Sequence, residues 1–267
     1  MKAFLSAFWA EALKAYRSRV SWVAAAALSI FPVIGGLFMV IMKDPEQARA
    51  MGLIGAKAQL LSGGAADWKS YFDFLGVGTS AAGAILFAFV VAWIFGREFS
   101  DHTAKELLAL PTRRETIVGA KFLLAALWIQ GLALLVFLVG LGVGTAISLP
   151  GWSAGLAGSF FGSLMLTTFL TTLLMPFVAL FASAGRGYMP PLGWAFATLA
   201  MAQVAGLMGW GDRFPWAVPA MISMSFSVMY GKAAAPLGIF SYFLVFLTCL
   251  IGLAATFAWW RSADQSK

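Results

Sequence analysis

The side chains able to do chemistry gather in one place. Residues 98–121 read EFSDHTAKELLALPTRRETIVGAK, and the stretch 97–121 holds five of the eighteen Lys and Arg residues and four of the eleven Asp and Glu residues. Long apolar runs enclose it on both sides, so charge at this density is expected to lie in water. Two helix starts are written into its spacing. Thr103 with Glu106, and Thr112 with Glu115, each have the form of a capping box, in which a hydroxyl and a carboxylate take up the orphan backbone donors of a first turn. Leu107, Leu108 and Leu110 give the helix between them an apolar side, and Pro111 stops it. A short, charged helix with exposed leucines, lying across the ends of two membrane helices, is shaped for docking to a partner. His102, the sole histidine, stands beside Asp101 and reads as a solvated neighbour of the cap, not as a base.

Other chemistries lack their residues. There is no GxxxxGK[ST] phosphate loop, so the chain carries no recognisable nucleotide site of its own, and there is no HExxH helix. Proton- and ion-coupled carriers bury acidic groups in mid-membrane, whereas Asp73 and Glu98 fall at the ends of apolar runs. Hydroxyls, Gln130, Gln203 and backbone carbonyls could still bind sodium. Cys249 stands alone, which excludes an intrachain disulfide and a cysteine metal site. One polar strip remains within the apolar runs, at Thr167, Thr168, Thr171 and Thr172, just before Pro176. Such hydroxyls either re-satisfy backbone groups freed by a proline kink or line a translocation path. No cofactor or metal is expected in the chain, and the energy for any transport must come from outside it.

The elements that position these residues follow from hydropathy. With 61% hydrophobic and 11% charged residues and a mean hydropathy of +0.87, the chain is an all-α, polytopic integral membrane protein. A bilayer core of about 30 Å needs about 20 apolar residues per helix. The charge-free run 122–185 is therefore two spans, turning at Pro150 and Gly151. Six spans are predicted, near 20–42, 74–96, 117–148, 153–183, 188–210 and 237–260. Between the last two, residues 212–235 contain Pro215, Pro219 and an alternation of Ser223, Ser225 and Ser227, which suits a bent outer re-entrant segment. Trp68, Tyr71 and Phe72 are expected to mark the start of the second span at the interface. Gly151, Gly155, Gly158 and Gly162 are expected to let helices approach closely.

Ahead of the first span, residues 1–19 form an interfacial amphipathic helix. Leu5, Phe8, Trp9, Ala12, Leu13 and Tyr16 share one arc, with Glu11, Lys14 and Arg17 opposite. The formal charge of +7 does not indicate nucleic acid, because it is sided. Six spans place twelve Lys and Arg residues on one side and six on the other, so both termini are expected to be cytoplasmic.

Residues 98–121 resemble the first cytoplasmic loop of type-2 permease subunits of bacterial ATP-binding-cassette transporters. Glu98, Asp101, Thr103, Leu107, Leu108, Pro111, Arg114 and Lys121 fit that loop, with His102 where many members have glycine. The Phe214-Pro215-Trp216 to Pro219 stretch is similar to the family's outer re-entrant segment. The resemblance implies a single permease domain over 1–267, in which 98–110 is a coupling helix. Glu98, Asp101, Thr103, Glu106, Leu107, Leu108, Pro111 and Arg114 would then engage an ATPase. It also implies a location in the bacterial plasma membrane, a second permease chain, the same or homologous, and two separate ATPase subunits that hold ATP and Mg. The substrate class implied is a drug, peptide antibiotic, lipid or glycan precursor moved outward. Two other readings stay open at this point: a membrane-embedded lipid-modifying enzyme, and a scaffold or immunity protein that binds without transport.

Overall fold

The computed structural model describes residues 2–43, 66–101, 103, 112–226 and 237–262. Every regular element among them is helical. An amphipathic helix, α1 (Lys2–Arg17), turns at Ser18 into α2 (Arg19–Lys43). Helix α3 (Trp68–Ser100) contains a π-helical turn at Thr79–Gly83. Then come α4 (Arg114–Ala146), α5 (Ala154–Ala184) and α6 (Met189–Leu207). Two 3₁₀ turns, Gly211–Arg213 and Pro215–Ala217, lead into the short α7 (Val218–Phe226), and α8 (Ile239–Ser262) closes the described chain.

Five of these helices, α2, α3, α4, α5 and α8, are long and apolar enough to cross a membrane. The boundaries fall within a few residues of those expected, except that α3 begins six residues earlier than the apolar run suggested. Asp67 explains this, because its carboxylate accepts from the Ser70 amide at 2.8 Å and starts the helix there. At 19 residues, α6 carries Pro190, Pro191 and Gln203 and falls outside the five. The turn expected at Pro150 and Gly151 is present. Gly151 takes φ +80°, Ser153 caps α5 through the Leu156 amide at 3.1 Å, and the Pro150 carbonyl accepts from the Trp68 amide at 3.1 Å.

Helix α5 is the hub, packed against α3, α4, α6, α7 and α8, and it buries a larger share of its surface than any other of the five. Its proline at 176 sits opposite Gly252 of α8, whose neighbour Thr256 brings its hydroxyl to 3.1 Å from the Pro176 carbonyl. At the end of the bundle that carries α1, here the proximal end, Trp260 Nε1 donates to Ser183 Oγ at 3.0 Å. The C-termini of α5 and α8 therefore meet at one end. At the distal end, Lys43 Nζ donates to the carbonyls of Ile147 and Ser148 at 2.7 and 2.8 Å, tying α2 to α4.

The segment after α6 folds back into the bundle. Trp216 lies against Phe177 and Trp194, with ring centroids 5.8 and 5.6 Å away, and Ser223 Oγ is 3.2 Å from Thr167 Oγ1. Helix α7 thus runs antiparallel to α5. Nine residues extend only about 14 Å, less than half of a hydrocarbon core of about 30 Å. The remainder of the expected 212–235 segment lies outside the described residues from 227 to 235.

Several expectations from the one-dimensional pattern are corrected. Trp68, Tyr71 and Phe72 stand at the start of α3 as expected, but they face inward as part of the distal core, each at most 2% exposed. A tyrosine there needs a partner for its hydroxyl, and Tyr71 finds it in the Pro32 carbonyl at 2.9 Å. Trp260, at the proximal end of α8, is also buried, and Trp259 packs beside that proximal core. Gly155, Gly158 and Gly162 face outward, and a methyl at any of them would meet open space. The close approach uses Gly144 instead, since a Cβ there would collide with the buried Trp68 ring. On α1, Leu5, Trp9 and Tyr16 face outward as an apolar stripe should. Glu11 does not face water but is buried, because α1 lies along α4.

Substituting Gly144→Leu forces the Trp68 ring out of its place. The expected cost is about 1–3 kcal/mol of overpacking, read as a lower thermal midpoint of the purified protein in detergent. Gly158→Leu, on the open face of α5, should leave that midpoint unchanged.

Candidate functional site

The charged stretch does not lie wholly in water. Its first and last members, Glu98 on the final turn of α3 and Lys121 one turn into the apolar part of α4, are 3% and 0% exposed. They meet at the proximal end because α3 and α4 are antiparallel neighbours joined by the stretch itself. Lys121 Nζ lies 2.7 Å from Glu98 Oε1 and 3.0 Å from Glu11 Oε2. From α1, Lys14 Nζ reaches Glu11 Oε1 at 2.6 Å and Glu98 Oε1 at 3.3 Å. Two carboxylates and two ammonium groups from three helices therefore alternate in a closed ring.

A buried ammonium is costly unless each of its three donors is matched. Lys121 meets that condition, because its third donor goes to the Ile94 carbonyl at 2.7 Å, and the Phe95 ring lies 5.9 Å away. Glu98 is matched on one oxygen only. Oε1 accepts from both lysines, while Oε2 is buried without a hydrogen-bond partner. The ring is neutral as a whole and opens to water only at Lys14, whose side chain is 30% exposed.

From this ring the chain leaves α3. The Thr103 amide donates to the Glu98 carbonyl at 2.9 Å, and Asp101, exposed, lies 3.6 Å from Arg97. Glu106, Leu107, Leu108 and Pro111, with His102, lie outside the described residues. At the other end of the stretch, the capping box expected from Thr112 and Glu115 is not formed. Arg113 holds the cap position without a side-chain bond, and Glu115 pairs with Arg261 at 2.6 Å. A nearby cation thus draws the carboxylate away from the backbone. Arg114 Nη1 donates to the Trp260 carbonyl at 3.2 Å. The stretch 98–114 is therefore held at both ends, by a buried ring on the α1 side and by α8 on the other.

In the threonine strip Thr167, Thr168 and Thr171 are buried and Thr172 is partly so, and the hydroxyls are largely occupied with their own helix. Thr168 donates within reach of the Leu164 and Met165 carbonyls at 2.9 and 3.1 Å, Thr171 to Thr167 at 2.8 Å, and Thr172 to Thr168 at 2.8 Å. Each reaches back one turn, ahead of the carbonyl that Pro176 frees. Gln130 Oε1 stands 3.3 Å from the Thr168 hydroxyl, so the strip also joins α4 to α5. A cavity of about 300 Å³ opens between α3, α5, α6 and the α7 segment, lined among others by Ser80, Thr171, Thr198, Gln203 and Trp216. Thr171 is the one member of the strip on its wall. Among the described residues no three His, Cys, Asp or Glu side chains converge as metal ligands.

Sequence reasoning named Glu98 and Arg114 but missed Glu11 and Lys14 as partners. A signal was present: opposite charges stand at the facing ends of two consecutive antiparallel spans, and a second opposite pair stands three residues apart on the preceding amphipathic helix.

A polytopic helical bundle with charge concentrated at one end and no nucleotide motif has the features of the membrane-spanning half of a transporter. Residues 7–202 match the family described as ABC-2 family transporter protein, and the chain belongs to that family. It is a non-catalytic permease subunit of an ATP-binding-cassette transporter, and permeases of this family associate with ATPase subunits. Among characterised proteins it is similar to the bacitracin transport permease protein BCRB of Bacillus licheniformis. The two are 26% identical over 187 residues, 68% of this chain and 85% of the relative.

Lys121→Met leaves Glu11 and Glu98 buried with only the half-exposed Lys14 between them. Breaking a buried pair in this way costs about 3–5 kcal/mol, so membrane yield and thermal midpoint should both fall sharply. Arg261→Gln, which removes an exposed pair, should change stability by less than about 1 kcal/mol.

Proposed function

We propose that the chain is the translocating subunit of an exporter for a peptide antibiotic, driven by ATP hydrolysis on separate subunits. The observation that carries this reading is the similarity to the bacitracin permease, which extends over 85% of that protein. In this reading residues 98–110 are the coupling helix. Leu107 and Leu108 are buried anchors in a cleft of the ATPase, while Asp101, Thr103, Glu106 and Arg114 set its register. Its position between two anchored ends suits it to receive a push.

In the same reading α6 is a sixth crossing. What supports this is that the C-termini of α5 and α8 share the proximal end, joined by Trp260 and Ser183. The chain must therefore return to the distal end before α8 begins. Six crossings, α1 as an interfacial helix and α7 as part of an outer re-entrant segment make up one permease domain. The asymmetry of Lys and Arg then puts both termini in the cytoplasm and the protein in the bacterial plasma membrane. Two ATPase subunits carrying ATP and Mg would bind on that side. A second permease, the same or homologous, would complete the path. Helix α6 leaves Phe196, Met201 and Val204 exposed, a face open to lipid or to that second chain. Thr167, Thr168, Thr171 and Thr172 border the path in this reading, with Thr171 nearest to it.

The test is expression with the partner ATPase in a bacitracin-sensitive host. Wild type should raise resistance and retain the ATPase on purification. Leu107→Asp combined with Leu108→Asp should lose both while still inserting in the membrane. Full resistance and normal ATPase retention in that double variant would remove the coupling role, and unchanged sensitivity with wild type would remove the substrate class.

A further inference from the structure

The ring of Glu11, Lys14, Glu98 and Lys121 joins α1 to the residue from which the charged stretch departs. Its two ends are not held alike. On the α3 side Glu98 enters the buried ring directly, whereas on the α4 side the ring is reached only at Lys121, about two turns past the helix start. Across the stretch, the Glu115 and Arg261 side chains are 48% and 64% exposed, so water and salt weaken that contact. A displacement of the stretch would meet a buried ion ring at Glu98 and, at its other end, an exposed ion pair at Glu115. Beyond the ring, α1 rests on α4 through Phe8, Ala12 and Ala15, while Leu5, Trp9 and Tyr16 face outward. No ion pair other than those with Lys14 and Glu11 ties α1 to the bundle among the described residues.

We propose that Glu11 and Lys14 are positioning residues for energy coupling: they bind α1 to Glu98, so that a push on the stretch after α3 moves α1 with it. This rests on the reading of residues 98–110 as the ATPase contact. Helix α1 is then a working part of the permease and not only its anchor.

Neutralising only the α1 half of the ring separates coupling from folding. In Glu11→Gln with Lys14→Gln, Glu98 and Lys121 keep each other at 2.7 Å, so no buried charge is left alone. With the complete transporter in proteoliposomes, ATPase retention and hydrolysis should stay near wild type. Peptide exported per ATP hydrolysed should fall about tenfold, within the range of a typical coupling free energy. Lys14→Arg, which preserves the ring, should restore the ratio. Where the double variant accumulates poorly, Glu11→Gln alone gives an intermediate test: Lys121 still has Glu98 and Lys14 keeps its 3.3 Å contact with Glu98, so the ratio should fall, but by less than in the double variant. An unchanged ratio overturns the proposal even if yield or thermal midpoint drops, since that result describes a purely structural ring. A parallel fall of export and hydrolysis overturns it as well. Failure of the wild-type permease to retain the ATPase would instead overturn the ATPase reading itself.

Discussion

Burying an ion is tolerable only when its charge and its hydrogen-bonding capacity are both answered, and that constraint organises the proximal end of this protein. Lys121 cannot reach water, so Glu98, Glu11 and the Ile94 carbonyl must converge on it. The convergence fixes the relative height of α3 and α4. It also fixes the rotation of α1, because only one face of that helix can present Glu11 and Lys14 inward. Leu5, Trp9 and Tyr16 then have no choice but to face outward, where an apolar stripe lies comfortably at a membrane surface.

Most buried hydroxyls in the rest of the bundle are answered inside the protein, while Thr79 Oγ1 and Gln130 Nε2 are buried without a hydrogen-bond partner. Hydroxyls of Thr168, Thr171, Thr172 and Thr256 return to carbonyls of their own helices, the usual solution in an apolar medium. Ser183 is matched by the Trp260 indole and Tyr71 by the Pro32 carbonyl. What stays open is the cavity beside α7, where Ser80, Thr198 and Gln203 stand among apolar walls. The walls of that chamber are largely apolar, with few polar groups.

Much of the helical layout was legible because its cause is local. Twenty apolar residues without charge can only be a helix in a bilayer, and Pro150 with Gly151 can only be a turn. The concentration of charge at 98–114 was legible for the same reason, as polar residues between two apolar runs. The candidate site was legible in part: Glu98 and Arg114 stood out, yet their roles as buried tether and surface tie did not. A capping box is also a local signal, but Glu115 answered to Arg261, a residue far along the chain that no window of sequence contains.

The sequence alone therefore determined that this is a helical membrane protein with a charged element between two of its apolar runs. The tertiary structure decided which charges are buried, which face of α1 turns inward, that Gly144 and not Gly158 makes the close approach, and that the segment after α6 folds back along α5. The physical reason is the same in each case. Hydropathy is a property of a residue and its neighbours, whereas desolvation, ion pairing and steric fit depend on atoms that only the folded chain brings together.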